Sequence, residues 1–178
     1  MNELPTTSWE ALQEDTRGPY EVSLKENGCI IFVGTVDGHL LVTSKHALGP
    51  HEDPNQITHA QKGEEWLRKH LAEHGKTVEE LEAFLSRNDV TAVFEVSLFY
   101  PYLRRLTSFQ LGDDDFEEHI LEYPPDRRGL FLHGLNCNTE HFETWSSDKI
   151  SQFASDFGFK SVVTLSYPTI EGLPFYSI

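Results

Sequence analysis

The dipeptide Asp37-Gly38 is the feature that most constrains how this chain can fold. It separates two apolar, β-branched runs, Cys29 to Val36 and His39 to Ser44. A two-residue turn between antiparallel strands needs positive φ at both central positions, and Asp-Gly tolerates this conformation well. The sequence therefore predicts a β-hairpin at this point.

Helix-ending signals divide much of the remaining chain. Gly75 is a plausible end for one helical pattern, and Thr77 with Glu80 forms a capping box that begins the next. Ser147 or Asp148 is predicted to cap a later helix that stops at Gly158. Residues 1–18 are predicted to be an irregular lead-in or a short helix. The predicted helices cover 56–73, a segment from 77 through at least 85, and a segment ending at 157. Besides the hairpin, the predicted strands cover 20–24, 91–95, 129–134 and 160–165.

Length and composition restrict the class of protein. The 178 residues, 38% of them apolar, suffice for one domain with a hydrophobic core. The net charge of −15 argues against broad binding to a polyanion, because proteins hold polyanions mainly through clustered Lys and Arg side chains. Cys29 and Cys137 are predicted to be reduced core thiols. With neither a signal peptide nor a membrane span recognised, the chain is expected in the cytosol or nucleus.

Three charged residues near predicted strand ends are candidates for chemistry. Lys25 lies three residues before Gly28, and a lysine beside a glycine that admits a phosphate suits a nucleophile that attacks a nucleotide. Lys45 follows the second hairpin strand, and Glu95 ends the strand 91–95. At the end of this strand, the carboxylate of Glu95 could bind a ribose hydroxyl or a divalent ion. Each also has a simpler interpretation, as a solvated lysine or a solubilising carboxylate.

Metal-binding patterns are weak in this sequence. His59, His70 and His74 do not share a helix face with a carboxylate at ligand spacing, so they are predicted to be surface or half-buried histidines. The acidic run 113–118 could bind a metal, although such runs are usually solvated. A metal hydrolase built on this run with His119 and His133 is a third hypothesis, and no ligand spacing supports it.

Several ordered segments together resemble the adenylyltransferase (RNA ligase) domain of the fungal tRNA ligases, which are relatives of the phage RNA ligases in the covalent nucleotidyltransferase superfamily. The resemblance spans nearly the whole chain, and the ordered set is more specific than any single motif. The segments that carry it are Gly18-Pro19-Tyr20-Glu21, Lys25-Glu26-Asn27-Gly28-Cys29-Ile30-Ile31-Phe32, Leu40 to His46, His59-Ala60, Gly63 to Leu67, Thr91-Ala92-Val93-Phe94-Glu95, Phe116-Glu117-Glu118-His119 and Gly129 to Asn136.

The resemblance implies a fold, a reaction and a set of site residues. The fold would be α+β, an incomplete nucleotidyltransferase (ATP-grasp-like ligase) fold with antiparallel sheets flanked by helices. Lys25 would be the nucleophile that forms lysyl-AMP from ATP with Mg²⁺, and AMP would then pass to RNA so that tRNA exon halves are sealed during tRNA splicing. Glu95 would contact the ribose or the metal, and Phe131 would line or stack on the adenine. The remaining nucleotide-binding residues would be Glu26, Asn27, Gly28 and Lys45.

The chain also departs from the family pattern. Deleting residues 96–110 joins Glu95 to Leu111 and restores that pattern, so this segment is interpreted as a non-family insertion, and one hypothesis is a translated intron. The later Glu-Gly-Phe-type and Lys-x-Lys strands of the family are not found, so residues 1–178 are expected to be part of a longer enzyme. The full-length enzyme is expected to be a monomer that binds RNA and does not associate with a membrane. The alternative is an inactive fragment that at most binds nucleotide or a partner.

Overall fold

Backbone hydrogen bonds form two β-sheets and four helices in the part of the chain that the computed structural model describes, which comprises residues 8–26, 28–50, 57–97, 128–162 and 164–170. The fold is thus α+β, as predicted. In chain order the elements are α1 (Trp9–Asp15), β1 (Tyr20–Ser23), β2 (Cys29–Val36), β3 (His39–Ser44), α2 (His59–Glu73), α3 (Val78–Asn88), β4 (Val90–Ser97), β5 (Gly129–Cys137), α4 (Ser147–Phe157), β6 (Lys160–Ser161) and β7 (Thr164–Tyr167).

The chain divides into two compact units. The first contains Met1–Lys25 and Val162–Ile178, and its sheet is the antiparallel pair of β1 and β7. The hydroxyl of Ser8 caps α1 in this unit by accepting a hydrogen bond from the backbone N–H of Ala11. The second unit is Glu26–Ser161, and it contains a five-stranded sheet in the order β3-β2-β4-β5-β6.

Alternate residues of the five-stranded sheet pack with α2, α3 and α4 in one apolar core. Because successive strand residues point to opposite sides, β4 buries every second side chain in this core. We call this side of the sheet the helix face and the other side the opposite face. The buried core residues are Ile31, Val33, Val42, Leu67, Leu71, Leu81, Leu85, Val90, Ala92, Phe94, Val96, Leu130, Leu132, Leu135, Phe153, Ala154, Phe157 and Phe159.

The pairing of β4 with β5 contains a one-residue irregularity. Phe94 pairs with Leu132 and Val93 pairs with Gly134, so His133 is an extra residue without a counterpart in β4. This arrangement is a β-bulge. It allows Leu132 and Leu135 to reach the same core although three positions separate them.

The predicted local signals are largely confirmed. Asp37 and Gly38 have positive φ values of 52° and 79° between β2 and β3. The Thr77–Glu80 capping box begins α3, and Gly158 ends α4 in the left-handed conformation. Residues 9–15 of the predicted lead-in form a short helix.

Other boundaries differ from the prediction because of contacts distant in sequence. The predicted strand 160–165 is wrong as one strand, since β6 pairs with β5 while β7 pairs with β1 in the other unit. The strand predicted over 91–95 spans 90–97, and the one predicted over 129–134 continues to Cys137. The N-cap of α4 is Ser146, and α2 begins at His59 after its own capping box from Thr58 and Gln61. The predicted start of α2 at Gln56 lies outside the described residues.

None of the described helices is long and apolar enough to cross a lipid bilayer.

Candidate functional site

Lys25 lies two residues after the end of β1 and is the last residue of the first unit before the chain enters the second. Its side chain is exposed, whereas the next residue, Glu26, is only 4% exposed. The chain thus changes from solvent-facing to buried within one peptide bond. Asn27, the third residue of the predicted motif, lies outside the described residues.

Gly28 lies tightly against β4. A Cβ built on Gly28 would be 2.1 Å from the carbonyl oxygen of Val96 and 3.4 Å from Cγ of Glu95. The first distance is far below any real Cβ contact, so only glycine allows this approach. The structure therefore brings two of the predicted site residues, Gly28 and Glu95, next to each other.

Glu95 and Phe131 form a row across the opposite face of the sheet. Ile30 pairs with Glu95, Glu95 pairs with Phe131, and Phe131 pairs with Lys160, so one side chain from each of four neighbouring strands shares the row. Glu95 is half-buried and Phe131 is 8% exposed. The row places a carboxylate beside an aromatic ring, an arrangement that can contact both the ribose and the base of a nucleotide.

Lys45 lies at the same end of the sheet as this row. It directly follows Ser44, the last residue of β3, which pairs with Ile31. The side chain of Lys45 is exposed. The backbone of Lys45 is therefore close to Ile30, which is the residue of β2 that belongs to the row.

Burial and the nearby carboxylate of Glu95 both affect the pKa of the Cys29 thiol. Burial and, secondarily, the negative charge of Glu95 raise the pKa of the Cys29 thiol to about 11. Cys29 and Cys137 are both free thiols at the margin of the core, as predicted. A raised pKa lowers the fraction of the reactive thiolate form, which disfavours Cys29 as a nucleophile.

The side chain of His70, in α2, lies against the start of β5, and the prediction that His70 is a surface or half-buried residue was wrong. It is 4% exposed, and its Nε2 accepts a hydrogen bond from the backbone N–H of Leu130 at 3.4 Å. A Cβ on Gly129 would approach this nitrogen to 2.8 Å, so the strand begins directly against the imidazole. Burial, followed by the nearby charge of Lys160, lowers the pKa of His70. The sequence signal was present, because His70 lies on the apolar face of α2.

His59 and His74 are half-buried and exposed, respectively, in agreement with their prediction. Burial and the neighbouring His46 lower the pKa of His59. No group of three or more His, Cys, Asp or Glu side chains able to hold a metal occurs among the described residues. The acidic run 113–118 and His119 lie outside them, so the hypothesis of a metal hydrolase stays untested.

Lys160 is the row residue that the sequence reasoning missed. Its Nζ lies 5.4 Å from the centroid of the Phe131 ring and donates a hydrogen bond to the carbonyl oxygen of Arg128 at 3.1 Å. The sequence signal was weak, because the pairing of the two-residue strand β6 with β5 depends on the tertiary fold.

Comparison with known proteins shows the family to which the chain belongs. A family model described as RNA ligase matches residues 1–174. The chain is 45% identical over 174 residues to tRNA ligase 1 of Schizosaccharomyces pombe and 38% identical over 189 residues to tRNA ligase of Candida albicans. Each comparison covers 97% of this chain but only 20% and 21% of the respective relative, so the chain spans about a fifth of their length. The chain therefore belongs to the RNA ligase family.

Proposed function

We propose that this chain is the adenylyltransferase part of an RNA ligase that uses ATP to form lysyl-AMP on Lys25. Within a longer enzyme it would seal tRNA exon halves during tRNA splicing. Membership of the RNA ligase family and the two relatives named tRNA ligase support the reaction class and the substrate. The free thiols of Cys29 and Cys137 are consistent with a reducing compartment, and we propose that the enzyme acts there as a monomer, in the cytosol or nucleus.

The observation that carries the proposal is the contact of Gly28 with β4. Only Glu26 and Asn27 separate Lys25 from Gly28, and Gly28 packs against the backbone of Val96 beside Glu95. The sequence motif that contains the proposed nucleophile therefore ends next to the carboxylate proposed to bind the ribose. Phe131 is the neighbour of this carboxylate across the sheet.

The proposed reaction proceeds through a covalent intermediate on the chain itself. Nζ of Lys25, as a neutral amine, attacks the α-phosphorus of ATP, so that an N–P bond forms, pyrophosphate leaves and the amine loses a proton. A phosphate oxygen at the 5′ end of RNA then attacks the same phosphorus, which frees Lys25 and leaves AMP joined to the RNA. A hydroxyl at the 3′ end of the second RNA, whose terminus carries a 2′-phosphate, displaces AMP and closes the strand.

The predicted site residues have separable roles in this proposal. Glu95 would accept hydrogen bonds from the ribose hydroxyls, and Phe131 would stack on the adenine. Lys45, Glu26, Gly28 and Asn27 would complete the nucleotide site, with Lys45 stabilising negative charge on the phosphates.

Glu95 is the one side chain that we propose as a ligand for a divalent cation, and the phosphates of ATP would supply further oxygen ligands. The carboxylate of Glu95 is a hard oxygen ligand of the kind that Mg²⁺ prefers, and it is half-buried in the row rather than fully solvated. When bound, Mg²⁺ would offset negative charge on the phosphates.

The fold that we propose is the nucleotidyltransferase (ATP-grasp-like ligase) fold. The antiparallel pairing of β3, β2, β4 and β5, with helices packed on one face of the sheet, supports it.

Residues 96–110 stay a proposed insertion within a partial domain. Val96 and Ser97 continue β4 opposite Leu130 and Gly129, and residues 98–110 lie outside the described part of the chain. If the segment is a translated intron, the spliced product would place Leu111 and Gly112 directly after Glu95. Sequencing the messenger RNA tests this, because a transcript that retains the codons for 96–110 in all copies contradicts the intron.

Transfer of label from ATP tests the proposed function directly. The chain is incubated with Mg²⁺ and ATP labelled at the α-phosphate, and we expect a labelled protein whose bond is cleaved in acid, as a phosphoramidate is. The variant Lys25→Ala should lose at least ~99% of the label, because it lacks the attacking amine. Lys149→Ala, which removes an exposed lysine of α4, is the matched control and should label normally.

Two results would contradict the proposal in different ways. Labelling that persists in Lys25→Ala would show that another residue is the nucleophile. Absence of label in a folded wild-type chain that still binds ATP would favour the alternative of an inactive fragment that at most binds nucleotide or a partner.

A further inference from the structure

Lys160 occupies the edge of the row that contains Glu95 and Phe131. It is the first residue of the two-residue strand β6, which runs parallel to β5, and it pairs with Phe131. Residues directly opposite in neighbouring strands direct their side chains to the same face of a sheet. The side chains of Lys160 and Phe131 therefore share the opposite face.

Within the described part of the chain, the ammonium group of Lys160 contacts a backbone carbonyl and an aromatic ring. Nζ donates a hydrogen bond to the carbonyl oxygen of Arg128 at 3.1 Å, and it lies 5.4 Å from the centroid of the Phe131 ring. The second distance is within the range in which an ammonium is attracted to the face of an aromatic ring. Arg128 precedes Phe131 by three residues, so the lysine joins the start of β5 to the ring further along the same strand.

We propose that Lys160 is a positioning residue for nucleotide binding that acts through Phe131. The inference rests on the proposed function, because it assumes that Phe131 stacks on the adenine. An aromatic ring held in one rotamer by a fixed cation loses less conformational freedom when a base stacks on it. Lys160 thus pre-organises the base-binding ring without contacting the reacting atoms.

The chain offers a matched control for this contact. Lys149 Nζ lies 5.5 Å from the centroid of the Trp145 ring, and both residues belong to the same unit as the row. Trp145 packs with Phe84 against the core and is not among the residues proposed to bind nucleotide. Lys160→Met and Lys149→Met therefore remove the same kind of contact, and only the first should affect nucleotide binding.

The test compares the affinity of the full chain for ATP and for adenosine, measured by displacement of a fluorescent ATP analogue. We expect Lys160→Met to bind both ligands about 3- to 10-fold more weakly, because the lost cation–π contact affects the base. Lys149→Met should bind both ligands like the wild type. A loss of affinity for ATP with unchanged affinity for adenosine would overturn the inference, since it would mean that Lys160 acts directly on the phosphates.

A double-mutant cycle separates positioning from a general structural effect. In a Phe131→Leu background, Lys160→Met should cause little further loss of adenosine affinity, because the ring through which it acts is gone. Independent losses that simply add would contradict the inference, as would a Lys160→Met variant that binds like Lys149→Met. A folded wild-type chain that binds neither ligand would instead overturn the proposed function, and this inference with it.

Discussion

Phe94 and Glu95 are neighbours in β4, yet they lie on opposite faces of the five-stranded sheet. Phe94 is fully buried and packs edge-on against Phe159 with the ring centroids 5.0 Å apart. Glu95 is half-buried and shares its row with Phe131 and Lys160. The helix face is therefore specified by apolar volume, whereas the opposite face brings together a carboxylate, an aromatic ring and an ammonium. Substitutions on the two faces should consequently affect different properties.

The largest effect is expected for truncation on the helix face. Phe94→Ala should lower the free energy of unfolding by about 3–5 kcal/mol, because it removes a fully buried ring and leaves a cavity. Phe142, which is 85% exposed, provides the matched control, and Phe142→Ala should change stability by less than about 0.5 kcal/mol. Urea denaturation measures both values. Equal effects of the two substitutions would show that Phe94 does not belong to the core.

A smaller effect is expected where Gly28 approaches Glu95 and Val96. Gly28→Ala should cost about 1–3 kcal/mol, because the added methyl group would overlap the Val96 carbonyl and displace the backbone. Labelling with ATP should fall with it, since the motif would move away from Glu95. The comparison variant is Gly134→Ala, whose Cβ would meet Thr144 Oγ1 at an ordinary 3.4 Å. A Gly28→Ala variant as stable and as active as Gly134→Ala would refute the close approach.

The smallest effect concerns the buried histidine on the helix side of the sheet. Burial and Lys160 lower the pKa of His70 below its usual 6.5, while Lys69 and His74 act in the same direction and Glu73 opposes them. The unfolded chain then binds a proton more readily than the folded one, so stability should fall as the pH decreases below about 6.5.

His70→Gln tests this pH dependence because glutamine does not titrate. Its free energy of unfolding should vary less between pH 7.5 and about 5.5 than that of the wild type. His141→Gln, which replaces an exposed loop histidine, should retain the dependence of the wild type. Parallel curves for wild type and His70→Gln would exclude His70 as the source.

Features governed by neighbouring residues could be predicted from the sequence. The Asp37-Gly38 turn, the Thr77–Glu80 capping box and the helix end at Gly158 each depend on the chemistry of a few adjacent positions. Features governed by distant partners could not. The run 160–165 carries no local sign that its two ends join different sheets, and the burial of His70 depends on the arrival of β5 sixty positions later.

The residues of the candidate site likewise include some that sequence motifs predict and one that only strand pairing reveals. Family resemblance predicted Gly28, Glu95 and Phe131 as site residues, and the structure brings these three residues together. Lys160 was not predicted from the sequence, because only the parallel pairing of β6 with β5 brings it next to Phe131. The role of Lys25 stays a prediction that the labelling experiment decides.

The bulge at His133 has a consequence for changes in chain length. Leu130 and Leu132 lie before the extra residue and Leu135 follows it, and all three reach the helix face. Removing His133 would restore regular pairing and leave the residues before and after it on their present faces. Removing one residue elsewhere in β5 would turn part of the strand over, exchanging Phe131 or Leu135 between faces. Position 133 is therefore where this strand can tolerate a single-residue deletion, and we expect length differences between homologous strands to be concentrated there.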